Sequence, residues 1–176
     1  MAAASGSPLS GVLPMPTSGF TLSSPDFADG ARLPDPVAFE APGANISPTL
    51  VWQGAPAGTL SYALTCFDPD APTGSGWWHW LVINLPASVQ QLAAGAGESD
   101  ATLPAGARHM RTDYGQYAWG GPHPPAGHGP HRYQFTVFAL DVPALDLPAE
   151  VSAAVVGFNL NAHALAKATL TGLYER

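Results

Sequence analysis

Glycine and proline recur along the whole chain, nineteen of each in 176 residues, with no single tract that concentrates them. Each proline fixes its own φ and gives up a backbone donor, and each glycine opens turn conformations closed to other residues. A chain punctuated in this way reads as many turns between short strands, and its expected class is mainly β. The intervals between the turns agree. Residues 59–67, 77–85 and 132–141 are rich in aromatic and β-branched side chains and are bounded by Gly/Pro clusters, which makes them the expected sheet core. Shorter strands are expected at 20–22, 50–52 and 169–174, the last with Gly172 as a candidate bulge, and a further short segment at 37–40. A helix is expected to open at 148–150 and to continue through Val151, Val155 and Phe158, with a weaker helical stretch at 162–167.

Bulk properties narrow the function classes. The length suits a single domain, placed at 20–176 after a loose segment over 1–19 that mixes Ala, Ser, Gly and Pro. Hydrophobic residues make up 46% and charged residues 11%, so the chain is not of disordered composition and has few surface charges. Six Lys+Arg against thirteen Asp+Glu give a formal net charge of −7, which opposes a broad electrostatic grip on nucleic acid or on an anionic membrane. An anionic ligand therefore needs a local site. Cys66 is the only cysteine, which excludes an intrachain disulfide and a cysteine-based zinc knuckle. The start of the chain lacks the pattern of a secretory signal and no apolar run reaches membrane-spanning length, so a cytoplasmic protein without membrane insertion is expected. A homodimer is compatible with so low a surface charge.

Two separated segments hold most of the chemistry. The first runs from Asp68, Pro69, Asp70, Ala71 and Pro72 to His79, and the second spans 121–133 and ends in His131, Arg132 and Tyr133. Each sets acidic, imidazole or phenol groups beside a stiff Pro/Gly loop next to an expected strand, where binding sites usually lie. Asp68 and Asp70 alone are most simply read as bonding to the turn backbone. His79 either takes a carboxylate partner that sets its tautomer or is a core histidine bonded to backbone. Strand alternation places His79 with Trp77 and Leu81, opposite Trp78, Trp80 and Val82. It likewise places His131 and Tyr133 on one side and Arg132 on the other, where Arg132 braces the fold with Asp70 as its candidate partner. Imidazole and phenol groups converging with backbone N–H groups make a cradle for phosphate or carboxylate.

These residues also carry a family resemblance. The run from Asp68 to Pro72, the Trp78-His79 pair, the stretch from Pro124 through Gly127 to His131-Arg132-Tyr133, and the upstream segment 43–52 together resemble the phosphatidylethanolamine-binding protein family, also called the Raf kinase inhibitor protein family, in its short bacterial branch. The resemblance implies a Greek-key β-sandwich with a small rigid anion pocket at one end. Asp68, His79, His131 and Tyr133 would line that pocket, Ala71, Pro72 and Pro125 would shape its wall, and Trp77 would stand near the mouth. His123 and His128 depart from that pattern by adding imidazoles to the loop.

The expected function is thus a non-catalytic binding or regulatory protein for a small anionic or phosphorylated ligand, needing no cofactor or metal, with a kinase or protease as an implied protein target. The alternatives are an acid/base hydrolase acting on phosphoesters and a metal-binding protein using His79, His123, His128 and His131 with Asp68. No nucleophile elbow or P-loop supports the first, and the loop histidines lack the spacing of a helix-borne site.

Overall fold

In a computed structural model, which describes residues 19–176, the strands form two antiparallel sheets. The smaller sheet joins β1 (Thr21–Ser23), β2 (Leu50–Gln53) and β5 (Gln91–Leu92). The larger contains β3 (Ser61–Asp68), β4 (Trp77–Pro86), β6 (Arg108–His109), β7 (His131–Leu140) and β8 (Ala164–Tyr174), in the order β6-β4-β3-β7-β8. The chain leaves β4, passes through the smaller sheet, returns to the edge as β6 and then crosses to lie beside β3. The resulting spatial order β7-β3-β4-β6 is that of a Greek key. The expectation of a loose segment over 1–19 lies, apart from Gly19, outside the described residues.

At its centre the larger sheet is covered on both faces, so β3 reads as six consecutive buried residues from Ser61 to Cys66, whereas the edge strand β8 alternates. On the face toward the smaller sheet, Leu64, Cys66, Trp80, Val82, Phe135 and Val137 pack against Leu22, Leu50, Trp52 and Leu92. On the opposite face, Ala63, Leu81, Ile83 and Leu140 pack against α1 (Ala153–His163). Among the described residues, no helix is long and apolar enough to cross a membrane.

Four local expectations are corrected. The helix starts at Ala153, capped by the Ser152 hydroxyl accepting from Val155 N–H, and it buries Ala153, Val156 and Leu160. Val155 and Phe158 face solvent, Phe158 at 75% exposure. Val151, just before the helix, packs half-buried against the same cluster. The stretch 164–167, read as helical, belongs to β8, where pairing with β7 overrides the helix preference of Ala, Leu and Lys. The segment 37–40 is not a strand: Val37 ends a 3-10 turn over Asp35–Val37, and 38–40 form a bend. Gly172 is not a bulge: it pairs in register with Tyr133, and a Cβ there would collide with Leu33. Its glycine permits close packing.

The alternation inferred for β4 also fails at one step. Phe67 pairs with Trp78 while Cys66 pairs with Trp80, so His79 is an extra residue in the strand, a β-bulge. Past it the phase reverses. Trp77 and His79 share a side as expected, but Trp80 and Val82 point the same way as His79, and Leu81 joins Trp78 on the α1 face. The bulge thereby aims an imidazole at the end of the sandwich without disturbing the core that follows.

Candidate functional site

At the end of the sandwich where β3 stops, β4 begins and β7 begins, the chain encloses a cavity of about 230 Å³. That is below the roughly 300–1,000 Å³ typical of pockets for drug-sized ligands, and suits a small group. The structure brings all eight expected lining residues to it: Asp68, Ala71, Pro72 and Trp77 from one side, with His79, Pro125, His131 and Tyr133. Thr73, Tyr114, His123 and Pro124 also line it. Neither Thr73 nor Tyr114 was identified from the sequence. Tyr114 lies in a loop between strands with no neighbouring motif, so only tertiary contact reveals it.

Asp68 combines two roles that the sequence set apart. Its Oδ1 accepts from the N–H groups of Asp70 at 2.7 Å and Ala71 at 3.1 Å, the expected turn bonds. Its Oδ2 accepts from His131 Nδ1–H at 2.8 Å, with both side chains almost fully buried. The carboxylate therefore orients His131, and not His79. On its other side His131 Nε2 lies 2.6 Å from His128 Nδ1, a hydrogen bond in which one ring donates to the other. Asp68, His131 and His128 form a chain from floor to rim.

His79 is held by backbone. Its Nδ1–H donates to the Gly120 carbonyl at 2.6 Å, and its Nε2 has no partner among the described residues. Burial pushes its pKa down to about 4, against smaller opposing effects from the Gly120 carbonyl and the Asp68 charge, so the ring is neutral at physiological pH. Gly120 can approach because it lacks a side chain: a Cβ there would enter the Tyr114 ring. Asn45 fixes this loop from the other side, accepting from Gly121 N–H at 2.8 Å and donating to the Trp119 carbonyl at 3.3 Å. The upstream motif thus serves the site without touching the cavity.

The phenols complete the floor. Tyr133 hydroxyl is buried with no hydrogen-bond partner among the described residues, and burial, with the Asp68 charge nearby, raises its pKa far above the usual range. Tyr114 donates to the Gly121 carbonyl at 2.9 Å and is raised in the same way. Trp77 stands edge-on to Tyr114 at 5.3 Å between ring centres.

Arg132 points away from the cavity as expected. It grips Asp70 through two side-chain bonds of 2.9 and 2.8 Å and a backbone bond, and the guanidinium holds the Asp70 carboxyl down at about 2. The extra histidines part company: His128 joins His131, whereas His123 donates to Glu40 at 2.6 Å. Among the described residues no three His, Cys, Asp or Glu side chains are grouped to hold a metal.

Comparison with known proteins places this architecture. The family model described as phosphatidylethanolamine-binding protein matches residues 23–175. The UPF0098 protein YbhB of Escherichia coli is 47% identical over 157 residues, covering 88% of this chain and 99% of that protein. The crystal structure of E. coli YbcL, described as a new member of the mammalian PEBP family, superposes with a TM-score of 0.86 at 45% identity, covering 89% of this chain and 98% of that one. The phosphatidylethanolamine-binding protein homologue CT736 of Chlamydia trachomatis gives a TM-score of 0.77 at 31% identity, covering 90% and 99%. With the motif residues gathered at one cavity and the match extending over the sandwich, the chain belongs to the phosphatidylethanolamine-binding protein family.

Proposed function

We propose that the protein is a non-catalytic binding protein whose cavity takes a small oxyanion, either phosphate or a phosphoryl headgroup. The observation that carries the reading is the set of polar atoms left for a ligand in a largely apolar end of the sandwich. His79 Nε2 is unpartnered, and the buried Asp68–His131 pair sits beside it. Buried polar groups that the protein leaves unsatisfied call for an external partner.

The reading against catalysis rests on the same atoms. Asp68 is engaged by three hydrogen bonds, which leaves it poorly placed to move a proton. Cys66 is buried in the core with its thiol pushed up by burial and then by the Asp68 charge, so it stays protonated and is no nucleophile. Titration with inorganic phosphate, followed by NMR of the histidine rings, is expected to move the His79 and His131 signals. His131→Ala, shown to be folded by circular dichroism, is expected to weaken binding at least tenfold. Unmoved rings, or full affinity in the folded variant, would overturn the proposal.

A further inference from the structure

An oxyanion in the cavity would lie beside the buried Asp68 carboxylate, and no lysine or arginine lines the cavity to offset the second negative charge. The Tyr133 hydroxyl and the Trp77 indole N–H, both without a partner among the described residues, can satisfy oxygen lone pairs but carry no charge. Of the imidazoles that line the cavity, His79 is held neutral by burial, and His123 is bonded to Glu40, which also faces the Arg176 guanidinium at 3.6 Å. His131 is placed differently. Asp68 binds its Nδ1, and its Nε2 shares a 2.6 Å hydrogen bond with His128 Nδ1. His131 is buried, whereas His128 is exposed, and His128 Nε2 has no partner among the described residues. The four ring nitrogens hold two protons when the pair is neutral and three when it is cationic. In the cationic form one proton faces Asp68, one lies between the rings and one sits on His128 Nε2, whichever ring donates in the shared bond.

We propose that His128 turns the Asp68–His131 pair into a proton-loaded anion site: when an oxyanion occupies the cavity, the two histidines together hold three protons and supply the positive charge that the lining lacks. This inference rests on the oxyanion-binding reading above and names the counter-charge of that site. A buried imidazolium standing alone is opposed by desolvation. Here the Asp68 carboxylate favours it from one side, and the hydrogen bond to an exposed ring spreads the charge toward water on the other. The remaining groups around the pair are already committed. Asp70, on the turn after β3, is gripped by Arg132 and feels the His131 charge only as a minor effect. Tyr174, opposite His131 on β8, turns its hydroxyl to Asp35, which Arg32 binds. On the loop, Arg176 donates to the Pro124 carbonyl, and the Tyr133 and Tyr114 phenols are kept protonated by burial.

Sulfate is the probe, because it stays fully deprotonated between pH 6 and pH 8 and any proton taken up on binding belongs to the protein. These values bracket the ordinary imidazole pKa of about 6.5, so calorimetric titration is expected to give a sulfate affinity at least about tenfold higher at pH 6 than at pH 8. His128→Asn keeps a short polar side chain at the position but cannot take a proton, and is expected to lose most of that rise. Nitrogen NMR of labelled histidine locates the charge: in the sulfate complex at pH 6 the His131–His128 pair is expected to be cationic and His79 neutral. A sulfate affinity that does not change with pH, a rise that persists in full in His128→Asn, a neutral pair or an imidazolium at His79 in the complex would each overturn the inference while leaving oxyanion binding intact. So would binding of inorganic phosphate without binding of sulfate, since the proton would then come with the ligand. If neither sulfate nor inorganic phosphate perturbs the site, the oxyanion-binding reading falls as well.

Discussion

At the scale of single residues, the cavity is governed by which partner each polar atom has. His131 could be assigned to the pocket from its strand phase, but its partner Asp68 could not, because 63 positions separate them and two histidines competed for one carboxylate. The same partners set the acid response of stability. The His79 pKa lies at about 4 when folded against an ordinary 6.5, so between these values the unfolded chain binds a proton that the folded one does not. Its contribution is complete above pH 6.5 and declines as pH falls toward 4, a loss of about 3 kcal/mol for a group so deeply buried. Asp70, held at about 2, adds a second limb, with stability lost as pH falls from about 4 to 2. Thermal melts followed by circular dichroism across this range are expected to show both limbs. His79→Gln should flatten the upper one and Asp70→Asn the lower, and an unchanged upper limb in His79→Gln would contradict the assignment.

At the scale of elements, β4 and α1 show where periodicity succeeds and where it misleads. The strands at 59–67, 77–85 and 132–141 were legible because aromatic and β-branched residues between turn formers have little alternative. The bulge at His79 was not, since an extra residue leaves no mark in composition and is imposed by pairing with β3. In α1 the spacing of Val155 and Phe158 pointed to the exposed face. Leu160→Ala should therefore cost about 2–5 kcal/mol, while Phe158→Ala should change stability by less than about 0.5 kcal/mol. Urea unfolding of the two variants measures the difference, and a Phe158→Ala cost matching that of Leu160→Ala would show that α1 is rotated from the described position.

For the whole molecule, the cavity depends on segments far apart in the chain that meet only because the Greek key closes. Asn45 links the loop before β2 to Gly121 and Trp119, and through Gly120 to His79 on β4. Asn45→Ala leaves the buried Gly121 N–H without its acceptor and should cost about 1–3 kcal/mol. It should also weaken phosphate binding by releasing the Gly120 carbonyl, although Asn45 does not line the cavity, and titration of the folded variant checks this: unchanged affinity would detach Asn45 from the site. Read along the chain alone, the mainly β class, the main strands, the opposite aims of Arg132 and His131, and eight of the residues around the cavity were already in view. These depend on local turn chemistry, two-residue alternation and a distinctive set of motifs, all of which are properties of neighbours along the chain. Tertiary structure alone decided that Asp68 serves His131, that His79 is bulged, neutral and held by a carbonyl, that Tyr114 reaches the cavity and that Gly172 is there for space. Each of these is a contact between distant residues, and its energy exists only once burial has removed water and left one partner within reach.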